Sequence, residues 1–395
     1  MFETIRMAPP DPILGLGEAF RNDSRPEKIN LSVGIYQNDA GKTPVLDCVK
    51  QAERRLLEDE KDKNYLGIDG LGSYRTLVPR LLLGAESVAL AEGRVACVQS
   101  PGGTGALRIA ADLLGRHFGG MTVWHSQPTW PNHPQIFQAA GLRTAAHPYL
   151  DAANRALDFD AMVNALKGAA PGDAVIVHAS CHNPSGVDPN ADQWAALTEV
   201  IRAQRLLPVI DCAYQGFGRG LEEDVVGLRL LAESGETLIA SSFSKNFGLY
   251  GERVGALTLV GPTTDATAAA HSQAKACVRA NYSNPPRHGA SVVASILSDD
   301  ELTKTWHAEL AGMRDRIQQM RDAFVQAMNA RVPDRDFSFI REQLGMFSFS
   351  GLNPMQVDRL KNEFGIYIVG SGRINVAGIT SANIDRLCDS IAAVL

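Results

Sequence analysis

The order of apolar runs along this chain predicts an α/β fold. A large domain with a mostly parallel sheet, covered by helices on both faces, is joined to a smaller α+β domain. Three observations carry that expectation. Six short apolar runs alternate with amphipathic stretches through the middle of the chain, the texture changes after about residue 298, and 395 residues exceed the roughly 250–300 at which one core stops growing.

VACVQS (95–100), MTVWH (121–125), AVIVHAS (174–180), LPVIDCA (207–213), TLIASS (237–242) and VGALTLV (254–260) read as buried strands. Intervening segments such as DQWAALTEVIRAQR (192–205) have helical period. Strands apolar on both faces belong to a parallel sheet buried on both sides. The last two are joined too closely for a right-handed crossover, so one of them is expected to run antiparallel. Beyond residue 298 come a long amphipathic stretch from Asp299 to Asn329, then DFSFI, GMFSFSG, a helix near 354–364, GIYIVGSGRINVAG and a C-terminal helix. The expected divisions are an N-terminal arm and part of the small domain (1–44), a large domain (45–298) and a small C-terminal domain (299–395). A ligand cleft is common where such domains meet.

Composition removes several classes of function. Hydrophobic residues at 45%, charged residues at 21% and a net charge of −6 are ordinary for a globular enzyme. Lysines and arginines are scattered, with no basic stripe for nucleic acid. Cys48, Cys97, Cys181, Cys212, Cys277 and Cys388 are widely separated, so neither a disulfide framework nor a C-x-x-C site is expected. The N-terminus carries Glu3 and prolines at positions 9, 10 and 12 rather than a signal-peptide pattern, and no apolar run approaches the roughly 18 residues of a span. The expected location is the cytoplasm.

Four segments follow predicted strands, where open α/β sheets bind ligands. In PGGTGALRIAADLL (101–114), glycines and Thr104 lead into a helix, either as a tight turn or as an anion site of backbone N–H groups. In HASCHNPSGVDP (178–189), Asn183 is either a turn former or an amide donor to a ligand oxygen. In IDCAYQGFG (210–218), Asp211 is a helix cap or the partner of a buried cation, with the Tyr214 phenol one turn on. In SSFSKNFGLYGERVG (241–255), Lys245 lies among Ser242, Phe243, Ser244 and Phe247, with Arg253 eight residues later. Hydroxyls and an arginine suit a phosphate, and a partly desolvated lysine forms an imine with an aldehyde. Phosphate ligands, an imine-forming lysine and an acid for a pyridine nitrogen together point to pyridoxal 5'-phosphate (PLP).

From DPILGLGEAF through INLSVGIYQNDAGKTPVL, NYLGIDGLGSY, GGTGALR, PTWPNH, CHNPSGVDP, DCAYQGFGRGLEED, SSFSKNFGLYGERVGA, RANYSNPP and GMFSFSGL to GSGRINVAG, the chain resembles class-I PLP-dependent aminotransferases of the aspartate/aromatic type. The resemblance implies PLP fold type I. It implies that Lys245 carries the cofactor as a Schiff base and shuttles a proton, and that Asp211, backed by His133, keeps the pyridine nitrogen protonated. Tyr214 and Asn183 match the pair on the ring's phenolic oxygen, and Trp130 matches the stacked ring. Gly102, Gly103, Thr104, Ser242, Ser244 and Arg253 match the phosphate cradle, with Tyr65 supplied by a neighbouring subunit. Gly34 and Arg373 match the clamp on the substrate α-carboxylate, where Trp130 and Asn183 also face substrate. Arg279 matches the partner-subunit arginine for a distal carboxylate. Two-point binding by an arginine would fix the Cα–H bond perpendicular to the ring.

The resemblance therefore implies a homodimer with shared sites, gripped by the proline-rich N-terminal arm. It implies transfer from L-aspartate to 2-oxoglutarate, giving oxaloacetate and L-glutamate, with aromatic amino acids as further donors. No metal is expected. Alternatives are an aromatic-amino-acid (tyrosine/phenylalanine) aminotransferase, a PLP lyase or decarboxylase of the same fold, and a non-catalytic PLP binder. A nicotinamide dehydrogenase would need the third glycine that this chain lacks. Departures from the family pattern are Gly102 before Gly103-Thr104, where many relatives have Ser, and NPSG for NPTG. Gln37 and Ile35 stand where strict aspartate enzymes have Lys and Val, whereas Thr43 and Asn64 keep the aspartate-type polarity.

Overall fold

The computed structural model describes residues 1–7, 14–151, 153 and 155–395, so the prolines at positions 9, 10 and 12 of the expected N-terminal arm lie outside the described residues. Contacts divide the chain into two compact units. The larger comprises Pro44–Asn183 and Val187–Asp315, the smaller Met1–Thr43, Pro184–Gly186 and Arg316–Leu395. The boundary at residue 316 falls within the continuous helix Asp300–Arg331.

The larger unit is built on a seven-stranded sheet. Its strands in chain order are β1 (Val95–Pro101), β2 (Thr122–Gln127), β3 (Arg143–Pro148), β4 (Ala174–His178), β5 (Leu207–Cys212), β6 (Thr237–Ser242) and β7 (Val254–Val260). They lie side by side in the order β1-β7-β6-β5-β4-β2-β3. β7 runs antiparallel to both neighbours, β1 and β6, and the remaining pairs are parallel. Every residue of β4, β6 and β7 is buried, as expected of strands covered on both faces. Leu107, Ala110, Ala111 and Leu114 of the helix Gly102–His117 share one core cluster with Ile176, Val209, Ala240 and Leu257 of the strands. Each Leu or Ile so buried contributes about 1.5–3 kcal/mol relative to exposure.

β3 was not among the expected strands. Its sequence, RTAAHP, has one fully buried side chain, His147, and lies at the sheet edge, so it carries little of the apolar signal that marks the others.

In the smaller unit, the strand Phe347–Phe349 pairs antiparallel with Arg373–Asn375, and Ile29–Asn30 pairs parallel with Ile366–Tyr367. The helix expected near 354–364 runs Pro354–Phe364, opened by a capping box between Asn353 and Gln356 and closed by Gly365 at φ 70°. Buried Arg321 donates to the carbonyls of Gly345 (2.6 Å) and Phe347 (2.8 Å), fixing the strand that pairs with Arg373. No helix among the described residues is long and apolar enough to cross a membrane.

Candidate active site

The parallel strands of the larger unit deliver their functional residues at their C-terminal ends. β1 passes directly into the helix Gly102–His117, whose N-cap, Pro101, offers no side-chain acceptor to the first-turn N–H groups. Gly102 has φ +73°, and a Cβ there would lie 2.6 Å from Nη2 of Arg253. A Cβ on Gly103 would lie 3.1 Å from Cβ of Ser242, and one on Gly255 would lie 2.4 Å from the carbonyl carbon of Gly102. Only glycine permits such close approaches. Arg253, itself at φ 55°, donates to Oγ of Ser244 (3.2 Å) and to the Tyr250 carbonyl (3.3 Å). The Ser244 N–H in turn reaches Oγ of Ser242 (3.4 Å). A helix N-terminus, a guanidinium and two hydroxyls thus converge where the glycine backbones pack closely, an arrangement whose chemistry suits a phosphate-sized anion. Thr104 is half-buried in the same first helical turn.

Beside it, Asp211 is the penultimate residue of β5 and is buried. Its Oδ2 lies 3.0 Å from Nε2 of His133, whose Nδ1 lies 2.8 Å from Oγ1 of Thr129. An Nε2–H donating to the carboxylate leaves Nδ1 to accept from the threonine hydroxyl. Burial works to raise the Asp211 carboxyl. It is outweighed by the hydrogen bond from His133 and by the electrostatic influence of His133, His178 and Lys245, so the group is held below its ordinary 3.8 and stays anionic. His178, aligned with Asp211 in the β4–β5 register, has its ring centroid 5.1 Å from that of His133 and 4.5 Å from that of His182. Burial, aided by neighbouring imidazoles, pushes His178 down to about 3 and His182 well below its ordinary value. His182 also stacks on Tyr149 at 3.9 Å and shares a hydrogen bond with Oγ of Ser126 (2.9 Å). His133, His178 and Asp211 offer ligand atoms within 4.8 Å of one another, a spacing a metal ion also uses; here the His133–Asp211 hydrogen bond occupies it.

Lys245 lies in the turn after β6, its Nζ 4.8 Å from the centroid of the Tyr214 ring. Buried aromatics anchor this turn: Phe247 stacks on Trp306 at 4.3 Å, Phe243 packs edge-on against Phe247 at 5.5 Å, and Nε1 of Trp306 donates to the Asn246 carbonyl at 2.7 Å. Trp130, half-buried, stands edge-on to His133 at 5.4 Å, and Asn183 is buried at the end of the segment after β4.

Lys245, Asp211, Tyr214, His133, Ser242, Ser244, Arg253, Gly102 and Gly103 are therefore brought together through direct neighbours. Tyr65 and Arg279 are not. Tyr65 is 90% exposed, and Arg279 is exposed and bonds to Ser283 at the end of its own helix. Gly34 and Arg373 belong to the smaller unit, which orders them around Phe347. A Cβ on Gly34 would lie 2.5 Å from Cζ of that ring, and the Arg373 guanidinium lies over its face at 4.2 Å, bonded to the Ser32 carbonyl. Asn375 holds the adjoining backbone through the carbonyls of Val33 (2.8 Å) and Ile35 (2.9 Å). Sequence reasoning missed His178, His182, Asp188, Asp224 and Trp306. The two histidines stand in the HASCHN segment that it quoted, but their meeting with Asp211 depends on strand register.

Residues 26–391 match the family model for class I and II aminotransferases. The chain is 54% identical to an aspartate aminotransferase of Escherichia coli (strain K12), covering all of both chains. It is 46% identical to an aromatic-amino-acid aminotransferase of Pseudomonas aeruginosa, covering all of this chain and 98% of that one. Its fold superposes at a TM-score of 0.97 on an aromatic-amino-acid aminotransferase of Burkholderia pseudomallei covalently bound to pyridoxal phosphate, with 49% identity over 100% of this chain and 99% of that one.

Proposed function

The chain belongs to the class I and II aminotransferases, and on that premise we propose that it transfers the α-amino group of L-aspartate to 2-oxoglutarate with PLP as cofactor, giving oxaloacetate and L-glutamate, and also accepts aromatic amino acids. The observation that carries this reading is the Lys245 amine over the Tyr214 ring, with an ionised, buried Asp211 close enough for the two charges to interact.

The residues fit the cofactor. The first-turn N–H groups at Gly102 and Gly103, with Arg253, Ser242 and Ser244 packed close, suit a phosphate, with Thr104 at hand and Tyr65 offered to a neighbouring subunit. Asp211 suits a protonated pyridine nitrogen, Trp130 a ring face, and Tyr214 with Asn183 a phenolic oxygen. When bound, PLP supplies an aldehyde that condenses with amines and a ring that takes up the electron pair left at Cα.

The chain's own groups do the rest. Asp211, kept anionic by His133, holds the proton on the ring nitrogen, where positive charge stabilises the electron pair. With the cofactor in place, Lys245 Nζ would be the base that takes the proton from the substrate Cα. Arg373, with the Gly34 backbone, binds the substrate α-carboxylate and so sets the direction of the Cα–H bond. Arg279, from the partner of a homodimer, takes the distal carboxylate. Six cysteines, all free and buried, support a reducing compartment, the cytoplasm.

The test is to load the protein with PLP, follow its visible absorbance, and add aspartate, phenylalanine and tyrosine separately. A yellow band that fades fastest with aspartate is expected. Faster fading with phenylalanine or tyrosine would make it an aromatic-type enzyme, as the 46%-identical Pseudomonas aeruginosa relative is named. No band, or a band that no amino acid alters, would overturn the proposal.

A further inference from the structure

We propose that Asp188 and Asp224 are positioning residues for this reaction: two buried carboxylates that fix the loops presenting Asn183 and Tyr214 to the cofactor's phenolic oxygen. The inference rests on the PLP reading above and adds the means by which those two donors are held.

Asp188 accepts from the backbone N–H of Cys181 through Oδ2 (2.6 Å) and from that of His182 through Oδ1 (2.8 Å). Cys181 has φ 54°, a conformation that a non-glycine residue keeps only when its surroundings impose it. The two bonds impose it, and the next residue in the chain is Asn183. Asp224 does the same for the other loop. Its Oδ2 accepts from Gly216 and Gly218 (both 2.8 Å), and its Oδ1 from Arg219 (2.7 Å) and Gly220 (3.4 Å). A Cβ on Gly218 would lie 2.5 Å from that Oδ1, so the backbone closes tightly on the carboxylate. Tyr214 is tied into this turn because its carbonyl accepts from the Phe217 N–H at 2.9 Å. The same carbonyl takes the Cys181 thiol at 4.0 Å, joining the two loops.

Burial raises both carboxyls, Asp188 to about 6, against the backbone N–H bonds that favour the charged form. Carboxylates held at such cost, each spent on main-chain donors of a loop beside the site, serve geometry. Donors to a phenolic oxygen draw electrons from the ring system and favour loss of the proton that gives the cofactor band its pH dependence. A donor that drifts from position therefore raises the midpoint.

The experiment uses the PLP-loaded protein and reads the pH midpoint of its visible band together with the rate of PLP release. Asp188→Asn and Asp224→Asn are each made alone and in Asn183→Ala and Tyr214→Phe backgrounds, with circular dichroism to show folding. Each single change should raise the midpoint by about one pH unit. Asp188→Asn should add nothing once Asn183 is alanine, and Asp224→Asn nothing once Tyr214 is phenylalanine, because each acts through that residue. An unchanged midpoint in folded protein, or shifts that add fully, would overturn the proposal. Should either asparagine variant fail to fold, Asp188→Glu or Asp224→Glu keeps the charge, moves it by one methylene and carries the same expectation. A parent protein without a pH-dependent visible band would instead overturn the PLP reading itself.

Discussion

Single residues decide whether the site can hold its charge. Lys245→Ala should lower single-turnover transamination by about 10²–10⁴-fold or more, since it removes the amine that stands over Tyr214 to carry the proton. Rapid-quench product formation checks it, and a variant turning over at the parent rate would return Lys245 to a structural role. Gly102→Ala tests the close packing of this turn on Arg253. Its φ of +73° costs an alanine about 1–3 kcal/mol, and the new Cβ would push against Arg253. PLP affinity should fall at least about tenfold by equilibrium dialysis, while Gly120→Ala, whose Cβ would meet nothing within 4 Å, should leave it unchanged. Most of these residues drew notice because their segments follow apolar strands, but each also reads as an ordinary turn, cap or surface residue, and the resemblance alone supplied their roles. Asp188 and Asp224 drew none. An aspartate inside a turn-rich segment looks like any turn former, and only the folded chain shows main-chain donors closing on it.

At the scale of elements, the strand ends set the electrostatics. Parallel register brings His178 of β4 beside Asp211 of β5, where burial and the neighbouring His133 hold His178 at about 3, below its ordinary 6.5. The unfolded chain accepts a proton that the folded one refuses. The stability this confers is full above 6.5 and is lost as pH falls toward 3. Asp188, raised by burial to about 6 from 3.8, works in the opposite sense between those values, so the comparison must be with the parent protein. His178→Gln should remove about 2 kcal/mol of the parent's loss in stability between about pH 7 and pH 5, measured by urea unfolding. Identical slopes would mean that His178 takes up its proton in the fold just as it does in the unfolded chain. Six of the seven strands were readable from apolar runs, as was the reversal near the end of the sheet. β3 escaped because an edge strand needs only one apolar face, and RTAAHP shows little even of that.

The whole molecule extends beyond one chain if Tyr65 and Arg279 serve a partner. Their exposure is what that arrangement requires. Mixing Lys245→Ala with Arg279→Ala protein, each inactive on aspartate, should restore activity as subunits exchange, because half of the sites in each hybrid carry neither lesion. Exchange verified by native mass spectrometry without recovery would count against shared sites. The boundary between the two units at residue 316 leaves no sign in the sequence, because the helix Asp300–Arg331 runs through it without a break. The reversed strand has a consequence in the time of synthesis. β1 ends at Pro101, and the strand that hydrogen-bonds to it does not begin until Val254. At about 5–20 residues per second, β1 leaves the ribosome on the order of ten seconds before its partner exists. Through that interval the nascent chain exposes an unpaired apolar strand, a natural target for a chaperone. In a variant retaining only Cys97, which the finished protein buries on β1, ribosome-bound chains stalled before Val254 should react with a thiol reagent, and chains stalled after Val260 has emerged should not.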